Sequence, residues 1–308
     1  MSTAAAGMTA LGAPASRATD RLAVAAASGR SRRRRRAAGL LGLRAGAVIF
    51  SLVVLFPVYW MVLTAFKPQS QILTPTPDFS PLGSTLAGFS DAIHKPFFWD
   101  YVANTVIVSV ATVAISLAVG LLAALALARF NFRGRKLYLV VLLAIQAVPQ
   151  TALVIPLFFT LQRFHQLNEL SGLTATYVVF DLPFAIWLLR GFVLGVPRDI
   201  DDAARVDGCT RLGAFRRVLL PLIAPGMVAT SIFAFIQAWN QYLYAYVFMQ
   251  QNDRYTLTVW LQAFSTNRGT DYSGLMAGSV LYTLPVVLLF VLVQRKVVSG
   301  LAAGAVKG

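Results

Sequence analysis

A chain of 308 residues that is 57% hydrophobic and only 13% charged, with a mean hydropathy of +0.67, is too apolar for an ordinary soluble domain and reads as a membrane protein. The formal net charge of +15 does not point to nucleic acid, because the 27 Lys and Arg gather at the edges of apolar stretches and in one tail, without aromatic interleaving. Cys209 is the only cysteine, and His94 and His165 lie far apart in polar loops; a disulfide, a metal cluster and His-based catalysis are all disfavoured.

Residues 1–43 are mostly Ala, Ser, Gly and Arg, with five consecutive arginines at Arg32–Arg36. Such a segment cannot bury a core, so it is expected as a disordered basic extension whose arginines attract anionic lipid headgroups. A signal peptide is the rival reading, but "TAFKPQSQ" after the first apolar run lacks a small-x-small cleavage pattern.

Six apolar stretches then follow, near Ala45–Phe66, Tyr101–Ala128, Leu137–Leu161, Leu173–Gly195, Ile223–Met249 and Ser273–Val293. Each is long enough to cross a hydrocarbon core of about 30 Å, which takes roughly 20 helical residues. The runs are continuous rather than alternating, so the expected fold is an all-α, polytopic membrane protein with six transmembrane helices. Residues 44–100 hold the first span and a Pro/Ser/Thr-rich loop with a short helix near Leu86–His94; residues 101–295 hold five spans; residues 296–308 form a small, flexible tail. With the N-terminus in the cytoplasm, 22 basic residues fall inside and five outside (Lys67, Lys95, Arg163, Arg254, Arg268). The positive-inside rule therefore places both termini in the cytoplasm.

The stretch "DDAARVDGCTRLGAFRRVLLP", Asp201–Pro221, is charged and amphipathic, set in a loop at about 196–222 between two spans. Asp199 is placed to cap a helix over Ile200–Val206, with Asp202 completing a capping box. Gly208 ends that helix and Thr210 caps a second, whose residues Leu212, Phe215, Val218 and Leu219 share an apolar face; Pro221 and Pro225 stop it. Adjacent alanines, Ala203 and Ala204, with Arg205 and Arg211 at the rim, suit docking into a groove on a cytoplasmic partner. An amphipathic helix lying on the inner membrane surface fits equally well.

These residues carry a resemblance. Asp202-Ala203-Ala204, then Gly208, then Val218-x-Leu220-Pro221 resembles the Glu-Ala-Ala signature of ABC-importer inner-membrane subunits, with matching spacing and with Asp and Val replacing Glu and Ile. From about Phe56 onward the chain is similar to the carbohydrate branch of that family, the maltose-permease type, through "FKPQSQI", "NTVIVS", "LPFAIWLLRGF", "QAWNQYLYA" and "SGLAAGAVKG". The resemblance implies a type I ABC importer permease fold in a bacterial cytoplasmic membrane. It also implies a second permease subunit, an ABC ATPase dimer that holds ATP and Mg, an extracytoplasmic solute-binding protein, and a sugar moved by alternating access. In that family the loop is the coupling helix: Asp202, Ala203, Ala204 and Gly208 form the docking turn, and Leu220-Pro221 its junction with span five. Asp202 either faces a polar group on the ATPase or caps the helix, and the C-terminal tail reaches the ATPase interface. No G-x-x-x-x-G-K-[ST] phosphate loop occurs, so nucleotide chemistry belongs to another chain and this one carries no cofactor.

Polar groups inside spans are costly and face a cavity or another helix. Asp181 lies eight residues into span four, about 12 Å deep at 1.5 Å per residue. Carboxylates, amides and ring faces bind sugars, because hydroxyls need directional partners and C–H faces stack on rings. The candidate substrate path is therefore Asp181 with Gln237, Asn240, Gln241 and Tyr244, and with Gln146 and Gln150 in span three. Interhelical hydrogen bonding is the alternative for each. Trp187 and Trp239 are assigned to packing, and Pro149, Pro156, Pro183 and Pro285 to bends or packing. An ion-coupled secondary transporter is the second reading, resting on Asp181 alone; an intramembrane enzyme lacks the paired aspartates or Ser/His set it needs.

Overall fold

The computed structural model describes residues 15–267 and 269–305, and the side chains of 39–40, 42–267 and 269–294. Its contacts divide the chain into residues 1–60 and 61–308. Among the described residues the regular structure is helical, apart from a hairpin of β1, Ser265–Thr266, and β2, Gly269–Thr270. The first helix, α1, runs from Ala15 to Ala65, so helix takes in residues 15–43 of the basic extension. Residues 1–14 lie outside the described residues.

Next come α2, Gln69–Ile72, and α3, Ala87–His94, the latter where the sequence places a short helix. They lead into α4, Phe98–Arg129, the second apolar span. The third stretch is not one straight helix. It divides into α5, Arg135–Gln146, and α6, Val154–Arg163, joined by a 3-10 turn at Gln150–Leu153 and bent by 92°. Pro149 causes the break, because it lacks an N–H and disfavours helical backbone in the residue before it. The span α7, Leu170–Gly195, then leads through α8, Arg198–Val206, and α9, Arg211–Ala214, into α10, Leu220–Trp239.

Two expectations about this last region change. Pro221 does not stop the helix: a π-helical turn at Phe215–Leu219 widens the spiral ahead of it, giving one continuous rod over Arg211–Trp239. Nor does span five reach Met249. It ends at Trp239, and Leu243–Phe248 form a separate short helix, α11. The chain closes with α12, Leu257–Trp260, and the last span, α13, Tyr272–Ala305; residues 306–308 lie outside the described residues.

Small residues let α4, α7 and α10 pack closely. Ala124, Ala128, Leu189, Val193, Leu219 and Ile223 are buried where the three helices meet near α8. Towards the opposite end, Val108, Tyr177, Tyr244 and Phe248 form a second core. Long apolar side chains such as Leu122, Val287 and Leu288 stay exposed, as a lipid-facing surface requires.

Polar side chains tie the loops down, and these explain several of the sequence motifs. Gln69 of "FKPQSQI" donates through Nε2 to the Thr270 carbonyl at 2.9 Å, while its Oε1 accepts from Ser273 N at 3.2 Å. Lys67, 4% exposed, pairs with Asp78 at 3.5 Å. The Ser80 N–H, with that ammonium beside it, holds the Asp78 carboxyl below its usual range. Asn104 of "NTVIVS" donates to the carbonyls of Asp253 and Tyr255, and the Thr105 hydroxyl accepts from Leu257 N at 2.8 Å. Arg129, Val196 and Arg198 meet at the other end of α4. The loops thus alternate between two ends as the six-span topology expects.

Candidate functional site

Two regions bring the singled-out residues together. The first is a cavity of about 460 Å³ among α4, α5, α7 and α10, within the range of about 300–1,000 Å³ usual for small-ligand sites. Asp181, Gln237, Asn240 and Gln241 line it, with Gln146 and Gln150 from either side of the broken third span. Tyr244 does not: its side chain is fully buried, its ring stacks on Phe180 at 5.0 Å, and its hydroxyl donates to the Gln150 carbonyl at 2.7 Å. Tyr244 therefore holds the 3-10 turn in place behind the cavity wall. The end of α10 at Trp239 places Asn240 and Gln241 on non-helical backbone, where their amides reach the cavity.

The remaining residues differ in how much hydrogen-bonding capacity they keep. Asn240 is largely occupied, donating to the Ile236 carbonyl at 2.8 Å and accepting from the Tyr282 hydroxyl at 2.6 Å. Gln241 Nε2 reaches Gln150 Oε1 at 3.4 Å. Asp181 is 6% exposed, and its carboxylate has the Ser116 hydroxyl of α4 nearby as a weak partner. The hydroxyls of Ser109 and Thr112, on the same side of α4, are buried and without a partner among the described residues. A buried carboxylate with so little hydrogen bonding is costly in a protein interior unless a ligand supplies further bonds.

Trp187 was assigned to packing; the structure leaves it 50% exposed and places it on the cavity wall. Phe184 stands beside it at 6.3 Å and stacks on Phe233 at 3.9 Å, so three rings share one wall. Trp239 is core, 1% exposed, with Nε1 donating to the Tyr282 carbonyl. Both tryptophans sit in apolar helices, and periodicity alone does not separate a cavity wall from a core when every face of the helix is apolar.

The second region is the α8–α9 turn. Gly208 adopts φ +85°, its N–H donates to the Arg205 carbonyl at 3.1 Å, and Cys209 N donates to the Ala204 carbonyl at 3.0 Å. These paired bonds form a Schellman cap, as the glycine leads one to expect. Thr210 caps α9 by accepting from Gly213 N at 3.0 Å, also as expected. The capping role given to Asp199 is not observed. The N-cap is Pro197, and Asp199 and Asp201 fall in the first turn, where they complement the helix dipole. Asp202 does not cap either; it is exposed, with Arg205 at 3.8 Å.

Ala204 is buried under α8, while Ala203 faces outward. Leu212 leaves the predicted apolar face and is 56% exposed, and Val206 is 87% exposed; with the exposed Ala203 they are the apolar tip residues of a turn that also carries Asp202, Arg205, Asp207 and Arg211. Leu220 and Pro221 begin α10. Open space surrounds Gly208, so its positive φ alone demands glycine. Gly208→Ala is expected to destabilise the turn by roughly 1–2 kcal/mol and Gly208→Asn by less. Faster protease cleavage within residues 205–211 of the alanine variant would show it.

Residues 116–302 match the family model described as binding-protein-dependent transport system inner membrane component. The chain belongs to that family. It is 44% identical over 262 residues to the diacetylchitobiose uptake system permease protein DasC of Streptomyces coelicolor, covering 85% of this chain and 95% of that one. It is 32% identical to the arabinooligosaccharides transport system permease protein AraQ of Halalkalibacterium halodurans, over 86% of this chain and 96% of the relative. It is also 32% identical to the trehalose/maltose transport system permease protein MalG of Thermococcus litoralis, over 85% and 95%. Among solved structures it is similar to a chain of a bacterial ABC transporter for alginate import, with a TM-score of 0.71 and 21% identity over 83% of this chain and 96% of that one. That likeness shows the fold, the type I importer permease. The permease is thus a multi-pass inner-membrane subunit of an ABC importer, a transport component rather than an enzyme, and the ion-coupled alternative is set aside.

Proposed function

We propose that the permease passes a neutral di- or oligosaccharide through the cavity at Asp181, and that partner chains drive it through the α8–α9 turn. The observation that carries this reading is the cavity's donor set. Amides from Gln146, Gln150, Gln237 and Gln241, the sparsely hydrogen-bonded Asp181 carboxylate and a wall of Phe184, Trp187 and Phe233 together offer hydroxyl acceptors, hydroxyl donors and stacking faces. Among the described residues of the lining Asp181 is the only charged one, and none of them is a cation that would receive an acidic sugar. The relatives named for diacetylchitobiose, arabinooligosaccharides and trehalose or maltose support a saccharide, and the neutral class rests on the lining.

In this reading both termini and the α8–α9 turn are cytoplasmic, as the basic residues are distributed. An ABC ATPase dimer holding ATP and Mg receives the apolar tip of Ala203, Val206 and Leu212, with Asp202 at its rim. A second permease subunit completes the path, and an extracytoplasmic binding protein delivers the sugar. ATP binding opens the cavity to that delivery and hydrolysis resets it inward.

Asp181→Asn and Trp187→Ala in the intact complex test the cavity role. Both are expected to lower the rate of sugar uptake at least fivefold, with ATPase co-purification unchanged; each lost sugar contact is worth about 1 kcal/mol or more, and fivefold corresponds to about 1 kcal/mol. Wild-type uptake by both variants would move the substrate path away from this cavity.

A further inference from the structure

Asp202 carries the motif, but its neighbour Asp201 makes the contact that ties the turn to the membrane core. Arg129, in the last turn of α4, places Nε 2.8 Å from Asp201 Oδ2 in the first turn of α8. The two side chains are 12% and 25% exposed, which shields the pair from the solvent that weakens surface ion pairs. Arg129 Nη1 also donates to the Val196 carbonyl at 3.0 Å, and Arg198 Nη2 donates back to the Ala128 carbonyl at 3.0 Å. Three contacts involving charged side chains therefore join the end of α4 to both sides of the α7–α8 corner, with Arg129 at the C-terminal end of α4 and Asp201 at the N-terminal end of α8 each complementing the helix end that bears it.

Ala204 is the one buried residue of α8, which otherwise rests beside α9 and the π-helical turn Phe215–Leu219 at the head of α10. Helix α4 is an uninterrupted 32-residue element that packs along α7 in the most extensive helix pairing among the described residues. Thr112 stands 17 residues before Arg129 on the same helix, about 26 Å away at 1.5 Å per residue, and lines the cavity.

We propose that the Arg129–Asp201 pair, braced by Arg198, is the strut that converts displacement of α8 into movement of α4, and with it the Thr112–Asp181 side of the cavity. Arg129 and Asp201 are positioning residues: neither touches the substrate or the exposed docking tip. The inference rests on the proposed docking of α8–α9 to the ATPase. Without the strut, α8 follows the ATPase while the cavity wall does not, and hydrolysis continues with little transport.

The test uses the full complex in proteoliposomes, with sugar moved per ATP hydrolysed as the readout. Arg129→Gln and Asp201→Asn are each expected to retain the ATPase, keep hydrolysis within about twofold of wild type and lower sugar per ATP at least fivefold, about 1 kcal/mol of coupling. The Arg129→Gln/Asp201→Asn double variant is expected to fall no further than either single, because both remove one interaction. Arg129→Lys keeps the charge and is expected to restore most of the ratio. An unchanged ratio in both single variants, additive losses in the double, or loss of the ATPase from the singles would overturn the strut. Absence of an ATPase from the wild-type complex would instead remove the docking reading beneath it.

Discussion

Aspartate at Val206 is expected to strip the ATPase from the detergent-solubilised complex and abolish sugar uptake, while the permease itself folds and is recovered at wild-type yield. Val206 is 87% exposed at the end of α8, so nothing in this chain depends on its side chain. Against a partner groove the same side chain contributes about 1.5–3 kcal/mol when fully buried. A carboxylate there forfeits that term and adds the cost of an unpaired charge at an interface. A total of roughly 3–5 kcal/mol corresponds to a loss of affinity of more than a hundredfold. Val206→Leu is expected to keep the ATPase. Retention of the ATPase by Val206→Asp would show that the apolar tip lies on lipid headgroups, the alternative that the sequence leaves open.

The second large effect is on the fold. Alanine at Gly226 is expected to lower the melting temperature of the purified permease by several degrees and reduce its yield. A Cβ at that position falls 2.2 Å from Phe192 Cγ and 2.4 Å from its Cδ2. Because Cγ is the anchored atom of the ring, the side chain cannot swing clear, and α7 and α10 have to separate along the contact that also buries Val193 and Ile223. Overpacking of this kind costs about 1–3 kcal/mol. Gly191→Ala is the control, since nothing lies within 4 Å of the added methyl. Equal melting of Gly226→Ala and wild type would show that α7 and α10 are not packed as described.

The features legible in the sequence are those set by local chemistry. The Gly208 cap and the Thr210 cap each depend on a few adjacent residues, and both form as read. Composition and length alone mark the apolar spans. The misplaced features depend on distant neighbours. The side-chain chemistry of Asp199 suits a cap, yet the backbone turns into α8 at Pro197, and Arg129 pairs with the next acid, Asp201, at the end of α4. The 92° break after Gln146 sits at Pro149, a local signal, whereas the end of α10 at Trp239 falls inside an apolar run with no such mark. At the second break, Tyr282 supplies the reason, reaching across from α13 to bond both the Trp239 carbonyl and Asn240. Asp181, Gln237, Asn240 and Gln241, singled out for their polar ends, meet at one cavity, while Tyr244 lies behind its wall with its hydroxyl spent on Gln150. Trp187 stands on that wall, and an all-apolar helix gives no sign of exposing it.

The most direct measurement is uptake of a labelled neutral disaccharide into proteoliposomes containing the complete transporter and its binding protein, with ATP enclosed or omitted. The account predicts uptake that requires ATP on the side of the α8–α9 turn and persists when ionophores collapse proton and sodium gradients. Uptake without ATP that disappears with those gradients would contradict it.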